Sequence, residues 1–454
     1  MNNPRFVAVV ASLCMLGTTQ TMSCFSKPSF TGGLDGNPNE ATDGSTDAAP
    51  RACGAGLQPL PADLIITAQQ FFSVDDLNRD GLDDLAMMAE DGVGGQHVFV
   101  YFGADQRNID INCWNHQIEA TGFSKIGGVK IEPGWYGGGD KGMLMIFGHD
   151  QDEADIRIEA HVVDGSQNFD DFVAKVLPDP GPIWNDGGVH SAFLVWRYAG
   201  TMDQEVLFGG DDKIFSLPIS TGGLGESITR VASNSKILQM MDISGTELIV
   251  DTGIDAFNVN RNSYATDMIF PTPLSGGGGS SDGKVFAAQE WMYQGNASVA
   301  VRVPQFATEQ ATTRLQLVAR NEVITKALSG VDPEGVRGPF ITGAAASRNV
   351  GQAAATLAAI VSTFDGTGAP LNHKLVVEKD AAESAGAIVP NQEIKLQNGR
   401  LPVITAGAFQ AESARNFLVI YPRRSAIERG TTSVCYQGLA GCLAECGATV
   451  CASQ

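Results

Sequence analysis

Between residues 59 and 425 the chain repeats one pattern of apolar and polar positions. A short apolar stretch leads into a loop rich in Gly, Asp or Asn, and a second stretch of Leu, Ile, Val, Met or Phe follows. Seven segments share this form: 71–89 (FFSVDDLNRDGLDDLAMMA), 131–148, 192–210, 237–253, 285–303, 341–362 and 404–422. Short apolar runs bounded by turn-forming residues predict strands, and the loops between them predict hairpins. The second strands begin near Leu85, Leu144, Val206, Leu248, Val299, Thr356 and Phe417, so the period runs from 42 to 62 residues. The stretches HVFVYFG (97–103), DIRIEAHVV (155–163) and LNHKLVVEK (371–379) alternate polar with apolar residues, which suits outer strands with one solvated face. Long amphipathic helices are nearly absent.

That period is the size of a four-stranded propeller blade. Seven units close a ring, and closure removes exposed sheet edges. The expected fold is therefore all-β, a seven-bladed β-propeller over residues 59–430. Two alternatives stand beside it: a β-sandwich chain whose segments are alike by accident, and a helix over ATLAAIVSTF (355–364) in the sixth unit, where alanine favours helix. Composition agrees with a folded, turn-rich chain: of 454 residues 43% are hydrophobic, 18% are charged and 53 are Gly. A net charge of −21 excludes a nucleic-acid partner, because phosphate binding depends on clustered Lys and Arg.

The ends read differently. Arg5 precedes an apolar run over residues 6–17, and small polar residues follow; this is a secretory signal, too short to span a bilayer. The signal, residues 1–24, ends in TMSC, a degenerate lipobox with Cys24 as the residue to be acylated, although Thr21 stands where Leu is usual. Plain secretion is the alternative. Residues 25–58 lack clustered apolar side chains and read as a disordered tether. A lipid-anchored domain at a bacterial outer membrane or cell surface needs such a tether; a periplasmic or secreted protein is the other location.

Six further cysteines remain for an oxidising compartment: Cys53, Cys113, Cys435, Cys442, Cys446 and Cys451. Four lie in the tail, residues 431–454, whose spacings lack the paired C-x-x-C knuckles of zinc sites, so disulfides are expected. In a ring the chain ends meet, and Cys53 or the tail cysteines are placed to brace the closing blade.

One loop carries chemistry. In DDLNRDGLDD, Asp76, Asn78, Asp80 and Asp84 occupy positions 1, 3, 5 and 9, with the Leu82 carbonyl at position 7 and Gly81 at the sharp turn. Hard Ca²⁺ takes oxygens of these kinds. An EF-hand needs a bidentate Glu at position 12, where this chain has Met87, so the loop belongs between strands rather than helices. DLNRDGLDDLAM followed by VFVYFG resembles the FG-GAP or VCBS repeat, a propeller blade family also found in integrin α-chain heads. The resemblance covers residues 71–103 and implies one Ca²⁺ held by this loop. The other six loops lack the ligand set, and HDQDEAD (149–155) reads as solvated.

Catalytic strings fail by context. GSSDG (279–283) around Ser281 lies in a glycine-rich loop rather than a strand-to-helix elbow. GGGDKG (137–142) precedes the strand MLMIFG, so no helix N-terminus is available for a pyrophosphate. STFDGTGA (362–369) only approaches a sialidase Asp box. The expected function is a calcium-binding module that binds or scaffolds a protein or polysaccharide at the cell envelope. The alternative is a hydrolase or lyase acting on carbohydrate or peptide in the propeller mouth.

Overall fold

The computed structural model describes residues 53–59, 72–91, 94–104, 109–111, 113–132, 141–151, 155–169, 171–178, 193–197, 204–209, 213–220, 223–226, 228–232, 239–242, 247–251, 256–260, 266–270, 282–289, 299–305, 314–319, 322–328, 336–347, 356–367, 369–378, 386–388, 392–396, 402–411, 414–421 and 431–436. Among them the chain is all-β, built from sheets that are antiparallel apart from one short parallel pairing, and no helix is long and apolar enough to cross a membrane.

The first sheet orders β2 (Phe72–Asp75), β3 (Asp84–Glu90), β4 (Gln96–Tyr101) and β6 (His116–Glu119), while β1 (Gln58–Pro59) pairs with β5 (Cys113–Trp114). The second comprises β7 (Phe123–Glu132), β8 (Gly142–Asp150), β9 (Asp155–Val163) and β10 (Asp171–Pro178). In the third, β11 (Phe193–Arg197), β12 (Gln204–Gly209) and β13 (Lys213–Ser220) are followed by β14 (Gly223–Leu224) and β15 (Ile228–Ala232), both on β13. The fourth holds β16 (Gln239–Asp242), β17 (Glu247–Asp251), β18 (Ala256–Asn260) and β19 (Thr266–Phe270). The fifth holds β20 (Asp282–Gln289), β21 (Val299–Gln305), β22 (Arg314–Ala319) and β23 (Glu322–Ala327). In the sixth are β24 (Val336–Ser347), β25 (Thr356–Asp365), β26 (Pro370–Glu378) and, after β27 (Gly386–Ala387) has crossed to pair in parallel with β23, β28 (Gln392–Lys395). The last holds β29 (Val403–Ala411), β30 (Ala414–Tyr421) and β31 (Thr431–Tyr436).

Each of the seven sequence segments contributes to the first two strands of one sheet, and residues 356–364 of ATLAAIVSTF lie in strand β25, not in a helix. The first strands touch in order: β2 with β7, β7 with β11, β11 with β16, β16 with β20, β20 with β24, β24 with β29, and β29 with β2. The core therefore sits between sheets. Leu85, Met87 and Ala89 of β3 pack toward β29 and β30 with Phe409, Leu418 and Ile420, while Ala86 and Met88 pack toward β7 with Ile126, Val129 and Ile131. A strand buried on both faces must be apolar at successive positions, which explains why LAMMA follows so polar a loop. The same holds for β4, whose Val98 and Val100 face one neighbour and Phe99 and Tyr101 the other. A solvated face, expected for this strand, is absent from its buried part.

Cys53 and Cys113 form a disulfide with Cα atoms 5.6 Å apart. The partner of Cys53 thus lies in β5, not in the tail, and the expected tether is fastened from Cys53 onward. Beside Cys113, Trp114 donates to the Pro59 carbonyl at 3.2 Å and packs on the cluster shared by the first and last sheets. Ile109 and Ile111 join that cluster, and the Tyr101 hydroxyl donates to the Ile111 carbonyl at 2.9 Å. Cys435 lies on β31; Cys24, Cys442, Cys446 and Cys451 fall outside the described residues, as do residues 1–52 and 437–454.

Candidate functional site

The loop between β2 and β3 holds itself together with its own carboxylates. Asp76 accepts the Gly81 N–H at 3.0 Å, Asn78 accepts that of Asp80 at 3.1 Å, and Asp80 accepts that of Leu82 at 2.9 Å. The Asn78 amide donates back to Asp80 at 2.9 Å. Asp84 engages both oxygens: one accepts Leu77 N–H at 2.8 Å and Asn78 N–H at 3.2 Å, the other Gly103 N–H at 2.8 Å. Such Asx contacts are why Asp and Asn recur at alternate positions in a tight turn. Gly81 sits at φ 96°, where a side chain is strained, and Arg79 at φ 62° shares the left-handed region. Asp76, Asn78 and Asp84 are buried, whereas Asp80 is exposed.

Electrostatically the loop is crowded. Burial pushes the Asp84 carboxyl well above the usual carboxylate range; the Gly103 and Asn78 N–H groups oppose this, and the charges of Asp80 and Asp76 add to it. Asp75, just before the loop, is also pushed well up, by burial and then by Asp83 and Glu132. A hard cation is chemically suited to this oxygen-only set, and its charge would relieve the repulsion. A carboxylate oxygen carries two lone pairs, so accepting an N–H leaves room to face an ion. The set is not a ready cage, because among the described residues no three His, Cys, Asp or Glu side chains are grouped to hold a metal.

The loop also touches its neighbours. A Cβ on Gly142, the first residue of β8, would lie 1.8 Å from the Leu77 carbonyl oxygen, so glycine here permits the second sheet to approach the loop. Gly142 ends the GGGDKG string, and its role is this close approach. On the other side Asp83 N–H donates to Ala408 O at 3.0 Å, and Ala408 N–H donates to Asp83 Oδ2 at 2.6 Å. Ser281 and residues 137–140 lie outside the described residues.

A second polar assembly was not legible as a site in sequence. Arg157, Glu159 and His161 occupy alternate positions on β9 and so share one face, while Ile156, Ile158 and Ala160 point into the core toward the third sheet. Arg157 Nε donates to Glu159 at 2.7 Å and Nη1 to Asp150 at 3.3 Å; His161 meets the other Glu159 oxygen at 3.0 Å. Asp150, expected to be solvated, is therefore paired. Burial raises the Glu159 carboxyl, but hydrogen bonds from His161 and Arg157 prevail and hold it below the ordinary glutamate range.

No protein-family model and no curated protein matches the chain. Solved structures with similarity include streptogramin B lyase, at 8% identity over 83% of this chain and 96% of that one, TM-score 0.38. Another is a catalytically inactive virginiamycin B lyase from Staphylococcus aureus with quinupristin, at 9% identity, 81% and 96% coverage and TM-score 0.37. The N-terminal domain of Nup159 matches at 10% identity, 64% and 73% coverage and TM-score 0.32. Similarity at this level assigns no activity, ligand or partner.

Proposed function

We propose that this chain is an exported seven-bladed β-propeller that binds one Ca²⁺ in the loop over residues 76–84. On this reading it acts as a binding or scaffolding module at the cell surface, held there by a lipid on Cys24. The cyclic order of first-strand contacts, returning from β29 to β2, supports the ring. The observation that carries the metal reading is geometric: Asp76, Asn78, Asp80 and Asp84 are gathered on one tight turn, three of them buried, each accepting N–H groups of the same loop.

Asp76, Asn78, Asp80, the Leu82 carbonyl and Asp84 would hold the ion, which supplies positive charge against three carboxylates. Their fixed positions would in turn stiffen the loop where it meets Gly142 and Ala408. A Kd of about 10⁻⁴ to 10⁻³ M, usual for extracellular sites, gives roughly 0.4 to 1.4 kcal/mol of stabilisation at millimolar calcium. The partner is a protein or polysaccharide of the cell envelope.

A pull-down from envelope extract with and without calcium, run beside a glycan and peptide turnover screen, tests the functional part. Calcium-dependent retention of one protein or polysaccharide supports it. Reproducible turnover with no retained partner overturns it in favour of a hydrolase or lyase.

A further inference from the structure

His116 opens β6, the outer strand of the first sheet. It shares a strand face with Ile118, which belongs to the cluster packed between the first and second sheets. There the His116 ring lies flat on Phe169, with centroids 3.9 Å and planes 7° apart, and Phe102 flanks Phe169 at 6.4 Å. Phe169 belongs to the second sheet, at the end of the turn over residues 164–169 that follows β9. The stack is thus a contact across the seam.

That turn is bonded to itself and forms one unit. Asp164 Oδ1 accepts the Ser166 N–H at 2.9 Å and its hydroxyl at 2.6 Å, and the Asp164 carbonyl accepts the Gln167 N–H at 2.9 Å. Its tip reaches the loop between β2 and β3: a Cβ on Gly165 would lie 3.7 Å from the Asn78 carbonyl oxygen. Phe169 also packs on the cluster that holds Leu77. The turn therefore joins the His116 stack to the loop of residues 76–84.

Charged groups stand around the stack. Arg157, Glu159 and His161 come from β9 and Glu119 from β6, while Asp164 lies in the turn with the Lys141 charge acting on it. From β4 and β7 the seam receives Val98, Val100, Ile126 and Val129. Burial first, and the charge of His161 second, lower the His116 pKa from the ordinary histidine value. An imidazolium here would sit half-buried beside a second cation. The attraction of a cation for a ring face works the other way, so the sign of the shift decides. Asp164, held below the ordinary aspartate range by its bond from the Ser166 hydroxyl, keeps its charge in mild acid, and imidazole is the side chain that titrates there.

We propose that the His116–Phe169 stack is an acid-released latch that holds the 164–169 turn against the loop of residues 76–84. Neutral imidazole keeps its place on Phe169; the imidazolium turns to water, uncovers Phe169 and frees the turn. Because the folded pKa is lowered, the latch holds in full above the ordinary histidine value. It loses hold as pH falls through that value and levels off below the depressed one. Every contact in it is made by the chain itself, so the latch stands or falls independently of calcium.

Hydrogen–deuterium exchange of the full mature chain in chelator, at about pH 7.5 and about pH 5 and corrected for intrinsic rates, tests it. Protection of residues 164–169 should fall about threefold or more in acid, and His116→Phe, which keeps a ring on Phe169 without a titrating group, should abolish the fall. The turn over residues 365–369 is the internal control, since Asp365 Oδ1 likewise accepts from Thr367 and Ala369. Equal loss in both turns, an undiminished loss in His116→Phe, or no loss in wild type overturns the latch. An NMR titration of wild-type His116 decides the case even where the variant does not fold: a pKa below ordinary histidine supports the latch, and one at or above it overturns it.

Discussion

Asp83 and Ala408, 325 residues apart, exchange two hydrogen bonds, one through the Asp83 backbone and one through its carboxylate. This pair joins the loop that opens the first sheet to a strand of the last. Asp83 is 5% exposed. Replacing it by Ala leaves the Ala408 N–H without its acceptor, and the expected loss is about 1 to 3 kcal/mol. Asp83→Asn keeps an oxygen and should lose less. Urea-unfolding midpoints of both variants check the order.

Gly142→Ala puts a methyl group against the Leu77 carbonyl, a backbone atom that cannot rotate away. Forced separation of β8 from the loop should cost about 1 to 3 kcal/mol, the usual range for overpacking. A thermal midpoint equal to wild type would contradict the contact.

Reduction of the Cys53–Cys113 bridge, which spans 60 residues, should cost about 2 to 4 kcal/mol. Non-reducing peptide mapping must recover that pair, and Cys53→Ser with Cys113→Ser should reproduce the loss. Thiol titration of the unreduced, unfolded mature protein extends the test to the tail: full oxidation predicts no reactive thiols, and two or more contradict it.

Glu159 supplies the pH dependence. Its folded pKa lies below the unfolded value, so its contribution to stability is present above the ordinary glutamate pKa and is lost as pH falls through the depressed value. Unfolding midpoints measured from pH 7 down to pH 3 should fall less steeply for Glu159→Gln than for wild type. Parallel curves would contradict the pairing with His161 and Arg157.

Strand positions were legible because the hydrophobic period and the turn residues are local properties. The interfaces were not. In LAMMA the sequence shows only that successive residues are apolar, while alternate members serve two different neighbours, Leu85 and Met87 one and Ala86 and Met88 the other. Position counting selected Asp76, Asn78, Asp80 and Asp84 and passed over Asp83, whose partner is distant in sequence. Alternation in DIRIEAHVV announced a polar face on β9, yet only the position of Asp150 shows that this face is paired rather than solvated. The crossing of β27 to the fifth sheet and the partner of Cys53 depend on long-range topology that no local pattern encodes.

Calcium titration by calorimetry on the full mature chain, wild type against Asp80→Ala, tests the central claim most directly. Asp80 is the exposed carboxylate of the loop, and its charge helps to push up Asp84, so its removal should leave the fold intact. Wild type should bind one Ca²⁺ per chain with a Kd of about 10⁻⁴ to 10⁻³ M, and Asp80→Ala should bind at least about tenfold more weakly. Equal calcium binding by the two proteins, or none by wild type, would contradict the assignment.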